Sequence, residues 1–367
     1  MTVSPLVPEG PLRPGLFELA SFNVSPSDGF VEWLASENVS LALTMGNMLA
    51  LIGRDREGGL RVATRPYPTA AGLATDGSRT FYLASGWQLI RFEDALLEGT
   101  RDAEGHDRLF MPQKAVTIGA LVTYDIAVPA TGAPLFTSAL CNCVAMPSRR
   151  LNFTAVWKPP FVTDLVGEDR CHLTGLALDG AKLAYVTCAA ESNVAGGWQD
   201  SLNSGGVVVD VEANDVLAKG ISLPHSPRIH DGQLYVAAAG DGALLRVDRA
   251  TGDREVVVQL PGLVRGLDFS GQFAVVGCSK VHEDGPYVGV PIGGLDATGQ
   301  RNGVTVVDLR TGRAVHELIF EGASGEVFGV SLIRGAAHVG VAEGAGRGWE
   351  QLSIGDIEPA TRPQGER

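Results

Sequence analysis

The stretch RCHLTGLALDG, residues 170–180, places a histidine directly before a short apolar run that ends at a turn-forming Asp-Gly. An imidazole exchanges a proton near neutral pH, so His172 could act as an acid or a base. A hydrogen bond from the ring to neighbouring backbone would explain a single histidine at this position equally well. A catalytic role therefore depends on which other polar groups the fold brings to His172.

Polar residues precede other apolar runs in the same way, and their types suit proton transfer. His225 lies in LPHSPRIH, where a rigid turn is the alternative explanation, and Tyr124 lies in TYDIAV. We expect His172 and His225 to transfer protons and Tyr124 to donate one. Asp125 or Glu326 would hold an imidazole in one tautomer. These five residues are the predicted catalytic groups.

Two arginines, Arg228 and Arg265, occupy similar positions in RIH and LVRGL. A guanidinium can bind a carboxylate, an enolate or a developing oxyanion. We therefore predict that both arginines bind substrate, together with Thr174. For Arg265 the alternative is a salt bridge to Glu326 that ties two structural units together.

Composition excludes several classes of partner. A net charge of −13 repels phosphate backbones and anionic lipid headgroups, so we expect neither nucleic acid nor membrane binding and favour a small molecule or a peptide. The first residues show no signal-peptide pattern and no apolar run approaches the ~20 residues of a membrane span, so we expect a cytoplasmic protein. Five cysteines, an odd number, indicate free buried thiols.

The same two-strand pattern recurs along the chain. GLATDG at 72–77, GLALDG at 175–180 and GLDFSG at 266–271 are each followed by an apolar strand, and GVSLIRG at 329–335 is a weaker copy. Further strands and polar turns give four short strands per unit. The starts are separated by two units of blade size each, within the ~40–50 residues typical of propeller blades.

We therefore predict an all-β fold, a β-propeller of four-stranded antiparallel blades, with six blades favoured and seven as the alternative. The strands at 40–66 should close the ring with VFGVSLI near the C-terminus, and SDGFVEWLASEN (27–38) should form a short helix. The predicted organisation is a flexible tail over 1–14, one propeller domain over 15–356 and a second flexible tail over 357–367.

Two long loops should cover one end of the propeller. In an antiparallel blade the inner strand begins and the second strand ends on the same face. The segments 191–206 and 279–303 both follow second strands, so we expect both to lie above the predicted catalytic groups. They would add Trp198, Lys280 and Tyr287 to the substrate-binding residues. His106, in an acidic loop, is predicted to lie at the surface.

The chain also resembles a bacterial family of conserved hypothetical proteins that carry a domain of unknown function and are predicted propellers. FVEWLASENVSLALT, RLFMPQKAVTIG, EDRCHLTGLAL and GGWQDSLNSGGVVVDV carry the resemblance, which covers most of residues 30–335. The resemblance implies the propeller fold and little chemistry. Relatives usually have Asn, His and Asp where this chain has Thr174, Tyr124 and Gly329, which indicates a divergent member with altered chemistry.

The expected function is an enzyme with an acid-base site on the propeller axis. We favour a lyase, cyclase or isomerase in bacterial specialised metabolism; the alternative is a non-catalytic propeller that binds a peptide or metabolite or acts as a scaffold. The sequence has no G-x-S-x-G, H-E-x-x-H, P-loop or cysteine quartet, so we do not expect covalent acyl transfer. No cofactor is expected, with a divalent metal held by histidines and carboxylates as the alternative.

Overall fold

The computed structural model describes residues 22–342 apart from 131, 283, 284, 286, 288, 295–298 and 324. Its strands form six antiparallel sheets arranged as the blades of a six-bladed β-propeller, as the sequence predicts. The predicted tails over 1–14 and 357–367 lie outside the described residues. No helix in the described part of the chain has the length and apolar character that crossing a membrane requires.

The strands of each blade run in order from the inside of the ring outward. Blade 1 consists of Val327–Arg334, Val39–Met45, Met48–Arg54 and Leu60–Pro66. Blade 2 consists of Leu73–Thr75, Thr80–Ser85, Gln88–Asp94, Arg108–Thr117 and Val339–Val341. Blade 3 consists of Ile126–Ala127, Leu135–Ser138, Cys143–Pro147 and Phe153–Trp157.

The remaining blades follow in the same order around the ring. Blade 4 consists of Leu173–Asp179, Lys182–Cys188, Gly206–Asp210 and Asp215–Ile221. Blade 5 consists of Pro224–His230, Gln233–Ala238, Ala243–Val247 and Arg254–Gln259. Blade 6 consists of Leu263–Ser270, Phe273–Ser279, Gly303–Asp308, Arg313–Glu321 and Asn23–Pro26.

Turn chemistry sets the repeat. In blade 4 the inner strand ends at Asp179, which pairs with Lys182, and Gly180 between them has a φ of 61°. A two-residue hairpin turn needs a positive φ, which Gly180 adopts at low cost. Apolar residues on both faces of the strands then pack between neighbouring blades.

The ring is closed by strands from both ends of the chain. Val39 pairs with Arg334 and Met45 with Val327, so the inner strand of blade 1 comes from the C-terminal part and its other strands from the N-terminal part. Asn23–Pro26 adds an outer strand to blade 6, and Val339–Val341 pairs in parallel with the outer strand of blade 2. The predicted closure is confirmed.

The short helix spans Phe30–Ser36, and Phe30, Trp33 and Leu34 pack into the core between blades 1 and 6. The predicted helix is present, but it begins after Gly29, which is left-handed, and no side chain caps it. The helix is therefore shorter at both ends than the predicted segment 27–38. The five cysteines are free and four of them are buried, which confirms that prediction.

Candidate functional site

Tyr124, His172 and His225 meet at one end of the propeller axis. The Tyr124 ring centroid lies 5.1 Å from that of His172 and 5.7 Å from that of His225. The three residues come from blades 3, 4 and 5 and lie at or just before the inner strands. Both imidazoles are buried while Tyr124 is half-buried, so the tyrosine lies nearest to solvent. The fold thus brings together the three predicted proton-transfer residues.

A carboxylate holds the ring of His172. Asp169 Oδ2 lies 2.8 Å from His172 Nδ1 and accepts a second hydrogen bond from the indole N–H of Trp198 at 3.1 Å. Trp198 also stacks on the imidazole, with ring centroids 3.9 Å apart. Because an ionised carboxylate only accepts hydrogen bonds, it fixes the proton on Nδ1. His172 Nε2 is buried and has no hydrogen-bond partner among the described residues.

The backbone that carries these groups is strained. Asp169 and His172 have φ values of 45° and 52°, and Val122, Leu223 and Ser226 at neighbouring strand mouths have φ values of 56°, 47° and 46°. The left-handed region is uncommon for any of these residue types and costly for the branched Val122. Strain of this kind concentrates at functional sites, so the cluster marks this end of the axis.

Arg265 from blade 6 completes the site. Its side chain is 1% exposed, and its Nη1 donates to the Glu326 carboxylate. The guanidinium carbon lies 4.7 Å from the centroid of the Tyr287 ring and 5.1 Å from that of Phe328. Its Nε and Nη2 are buried without a hydrogen-bond partner among the described residues. The salt bridge between Arg265 and Glu326, which is the alternative prediction for Arg265, is present.

Burial and charge set the protonation of this cluster. Burial lowers the pKa of His225 well below its ordinary value, and the nearby Arg265 and His172 lower it further, so its imidazole is neutral at pH 7. Burial raises the pKa of Tyr124 well above its ordinary value, and Tyr287 adds to the rise. Burial alone would lower the pKa of Arg265, but Glu326 and the tyrosines raise it, so the guanidinium stays charged.

The two long loops meet above this end of the axis, as predicted. Trp198 from the first loop and Val290 and Ile292 from the second belong to one apolar cluster, and Tyr287 packs against it. Trp198 covers His172 and Tyr287 covers Arg265. Unlike Trp198 and Tyr287, Lys280 has an exposed side chain. Its backbone N–H donates a hydrogen bond to the side-chain oxygen of Asn302.

Asp125 and Arg228 do not join the site. The carboxylate of Asp125 and the guanidinium of Arg228 form two hydrogen bonds of 2.8 Å, which tie blade 3 to blade 5. Asp125 also accepts the backbone N–H of Leu176 from blade 4. Arg228 lines a separate cavity of about 210 Å³ further along the inner strands. Asp125 and Arg228 thus form a cross-link between blades, and the orienting role of Asp125 and the substrate contact of Arg228 stay predictions.

Two of the three positions expected to depart from the family pattern serve packing. The Thr174 hydroxyl is buried and lies within hydrogen-bond distance of the Pro224 carbonyl on blade 5, so it is not placed to bind substrate. A Cβ at Gly329 would come within 2.8 Å of the Ala71 carbonyl and of Thr44 Oγ1, which leaves no room for an aspartate. Tyr124 alone of the three belongs to the site.

Sequence reasoning missed Asp169 and Phe328. Asp169 precedes His172 by three residues in EDRCH, and this spacing was the available signal. Phe328 reads as an ordinary apolar strand residue, yet its ring stacks on Tyr124 with centroids 6.0 Å apart. The described residues contain no group of three or more His, Cys, Asp or Glu side chains placed to hold a metal ion.

Comparison with known proteins supports the fold and adds no activity. Residues 28–341 match a family model described as a domain of unknown function, DUF4915. No significant match was found among curated proteins. Among solved structures the chain is similar to one from a crystal structure of a nidogen/laminin complex, with a TM-score of 0.52, 12% identity and coverage of 81% of this chain and 99% of the other. At this identity the similarity shows the fold alone.

Proposed function

The chain belongs to the family described as a domain of unknown function, DUF4915, and from the geometry of the axial site we propose that it is an enzyme that moves protons on a small-molecule substrate. The reaction class is elimination, addition, cyclisation or isomerisation, so the enzyme is a lyase, cyclase or isomerase. The side chains around His172 support this class, because none of them is an activated serine or cysteine nucleophile.

The arrangement of Asp169 and His172 is the observation that carries the proposal. The carboxylate holds Nδ1 at 2.8 Å, so the basic nitrogen of the ring is Nε2. Nε2 is buried and uses no protein partner among the described residues. Leaving a buried polar atom unpaired costs about 1–3 kcal/mol, which a catalytic role would justify. Asp169 also stabilises the imidazolium that forms when Nε2 takes a proton.

The other groups of the site fit the same reaction. His172 Nε2 removes a proton from the substrate, and the electron pair left behind moves toward an oxygen beside Arg265. Tyr124 is protonated at neutral pH and supplies a proton to the leaving group or to a second position. His225 is neutral and adjacent, so it can accept a proton without first losing one. The leaving group departs with the proton that Tyr124 gave, and the imidazolium of His172 returns its proton to the Tyr124 oxygen, so both residues regain their starting forms.

A binding function without catalysis is the second candidate, and the pairing of Arg265 with Glu326 favours it. This ion pair joins blades 6 and 1, and the rings of Tyr287 and Phe328 cover the guanidinium. A propeller that only recognises a metabolite or peptide would have the same polar ring under the same loops.

A deuterium-incorporation experiment distinguishes the two functions. Wild-type protein and His172→Ala are each incubated with a pooled metabolite extract in D2O, and mass spectrometry records compounds that gain deuterium or lose water. An enzyme changes specific compounds in the wild-type sample only, while His172→Ala still retains them on a gel-filtration column. His316→Ala is the matched control, because His316 contacts the backbone of Asp28 far from the axis.

Two outcomes would contradict the enzymatic proposal. In the first, wild-type protein retains a compound from the extract but never alters its mass. In the second, compounds change equally with wild type and His172→Ala, which would place the chemistry elsewhere.

A further inference from the structure

The two unpaired donors of Arg265 form a fork that could bind a carboxylate. Nη1 is occupied by Glu326, whereas Nε and Nη2 have no hydrogen-bond partner among the described residues. These two nitrogens lie along the same edge of the planar guanidinium and donate in nearly parallel directions within its plane, which matches the two oxygens of a carboxylate. The two unoccupied donors of Arg265 therefore match the two oxygens of one carboxylate ligand.

The surroundings of Arg265 are flat and aromatic. Phe328 stacks on Tyr124 with an interplanar angle of 28°, and both Phe328 and Tyr287 lie against the guanidinium. These three rings are half-buried, so they reach from the guanidinium toward solvent. Flat rings of this kind favour a planar molecule that packs against them.

Charge argues for a monoanion rather than a phosphate. Arg265 is already paired with Glu326, and the whole chain carries a net charge of −13. A phosphate dianion would need further cations or backbone amides, and Lys280 directs an exposed side chain that makes no described contact with the cluster. A carboxylate needs only the two donors that Arg265 leaves unused.

We propose that the axial site binds planar, unsaturated or aromatic monocarboxylates, with the carboxylate on Nε and Nη2 of Arg265 and the planar part against Tyr124 and Phe328. Such carboxylates are the substrate class of the proposed enzyme. Binding of the carboxylate does not depend on the proposed enzymatic function, and only the chemistry that follows binding rests on it. His172 Nε2 then faces the planar part, where proton removal would leave charge that the carboxylate and Arg265 share.

Binding of benzoate tests the proposal without knowledge of the natural substrate. Protein labelled with 15N in its histidines is titrated with benzoate, neutral benzamide and phenylphosphonate, and the imidazole signals of His172 and His225 are followed by NMR. We expect saturable shifts with benzoate at a Kd of about 1 mM, which suits a ligand of this size, and binding at least about tenfold weaker for the other two compounds.

Arg265→Lys keeps the positive charge beside Glu326 but removes the fork, so it should weaken benzoate binding about tenfold or more. Arg249→Lys is the matched control, because Arg249 pairs with Asp179 at an exposed turn between outer strands of blade 5. If Arg265→Lys does not fold, nuclear Overhauser contacts between benzoate protons and the Tyr124 or Phe328 ring in wild-type protein replace it.

Equal binding of benzoate and benzamide, preferential binding of phenylphosphonate, or no shift of either imidazole would overturn the proposal. The proposed enzymatic function fails separately. His172→Ala should still bind benzoate, so benzoate binding without any His172-dependent turnover would leave the ligand class intact and remove the catalysis.

Discussion

At the scale of single residues, one carboxylate oxygen organises the site. Asp169 Oδ2 accepts hydrogen bonds from both His172 and Trp198, so the base and the residue that covers it share one anchor. The loop that carries Trp198 is thereby linked to the orientation of the imidazole. Movement of this loop would change the stacking on the ring and the hydrogen bonds of its carboxylate at the same time.

Asp169→Asn should change the tautomer of His172. An amide can donate to the ring as well as accept from it, so the proton is no longer fixed on Nδ1. We expect 15N shifts that report a mixed tautomer and a loss of turnover of roughly 10²–10⁴-fold on the compound found in the deuterium experiment.

Two further variants complete that comparison. Trp198→Phe keeps the ring but loses the N–H donor, so its effect should be smaller, and Asp164→Asn, at an exposed position, should have none. An unchanged tautomer in Asp169→Asn would show that the dyad does not position the base.

Arg228→Met should lower the stability of the protein because Asp125 loses the arginine that pairs with it. The variant leaves the buried carboxylate of Asp125 without its ion pair, which typically costs about 3–5 kcal/mol. We expect a lower midpoint in urea unfolding, and the double variant with Asp125→Asn should recover part of the loss. Equal stability of Arg228→Met and wild type would return Arg228 to the list of substrate-binding candidates.

At the scale of elements, two buried histidines hold the last described strand against blade 2. His106 and His338 lie with ring centroids 4.5 Å apart, and Asp102 Oδ2 is 2.8 Å from His106 Nδ1. The prediction that His106 lies at the surface is wrong, because its side chain is 7% exposed. No pattern in the sequence indicates the contact, since His338 lies far along the chain, directly before the strand that pairs with Arg108–Phe110.

The attachment of Val339–Val341 should weaken in acid. Burial lowers the pKa of His338, and His106 and Arg61 lower it further, while Asp107 and the backbone at Gly105 oppose this. The unfolded chain therefore binds a proton more readily than the folded one. Neutral His338 makes its full contribution to the free energy of unfolding above the ordinary pKa of histidine. This contribution is lost as the pH falls from the ordinary pKa toward the lower pKa that His338 has in the folded protein.

Hydrogen exchange measures this effect. Amides of Val339–Val341 should exchange faster at about pH 5 than at about pH 7.5, after correction for intrinsic rates, while amides of blade 4 should not change. The charged groups that face the His106–His338 pair are Asp102, Glu104, Asp107 and Arg61. His338→Gln cannot titrate and should abolish the difference. The idea fails if this variant keeps the full pH dependence.

At the scale of the whole molecule, closure of the ring holds the site together. Its groups come from blades 3, 4, 5, 6 and 1, and Glu326 directly precedes the inner strand of blade 1. That strand pairs with Val39–Met45 from the other end of the chain. The site can therefore form only when both ends of the chain have joined in blade 1.

Removal of residues 327–367 should unfold the entire propeller. The truncation deletes the inner strand of blade 1 and exposes the apolar faces of blades 6 and 2. We expect loss of the cooperative thermal transition in circular dichroism. Removal of residues 343–367, which leaves every described strand in place, is the matched control. A cooperative transition in the shorter chain would show that closure is dispensable.

The sequence by itself determined the repeat, a propeller of six or seven blades, the closure and the end of the axis at which polar residues gather. These features follow from turn chemistry and strand periodicity, which act between neighbours in the chain. Only the tertiary structure decided which polar groups meet. The observed pairs are Asp125 with Arg228, Glu326 with Arg265 and His172 with Asp169. The spacing of residues along a strand fixes the face and the end at which a side chain lies, whereas its partner in the next blade depends on how six twisted sheets pack around one axis.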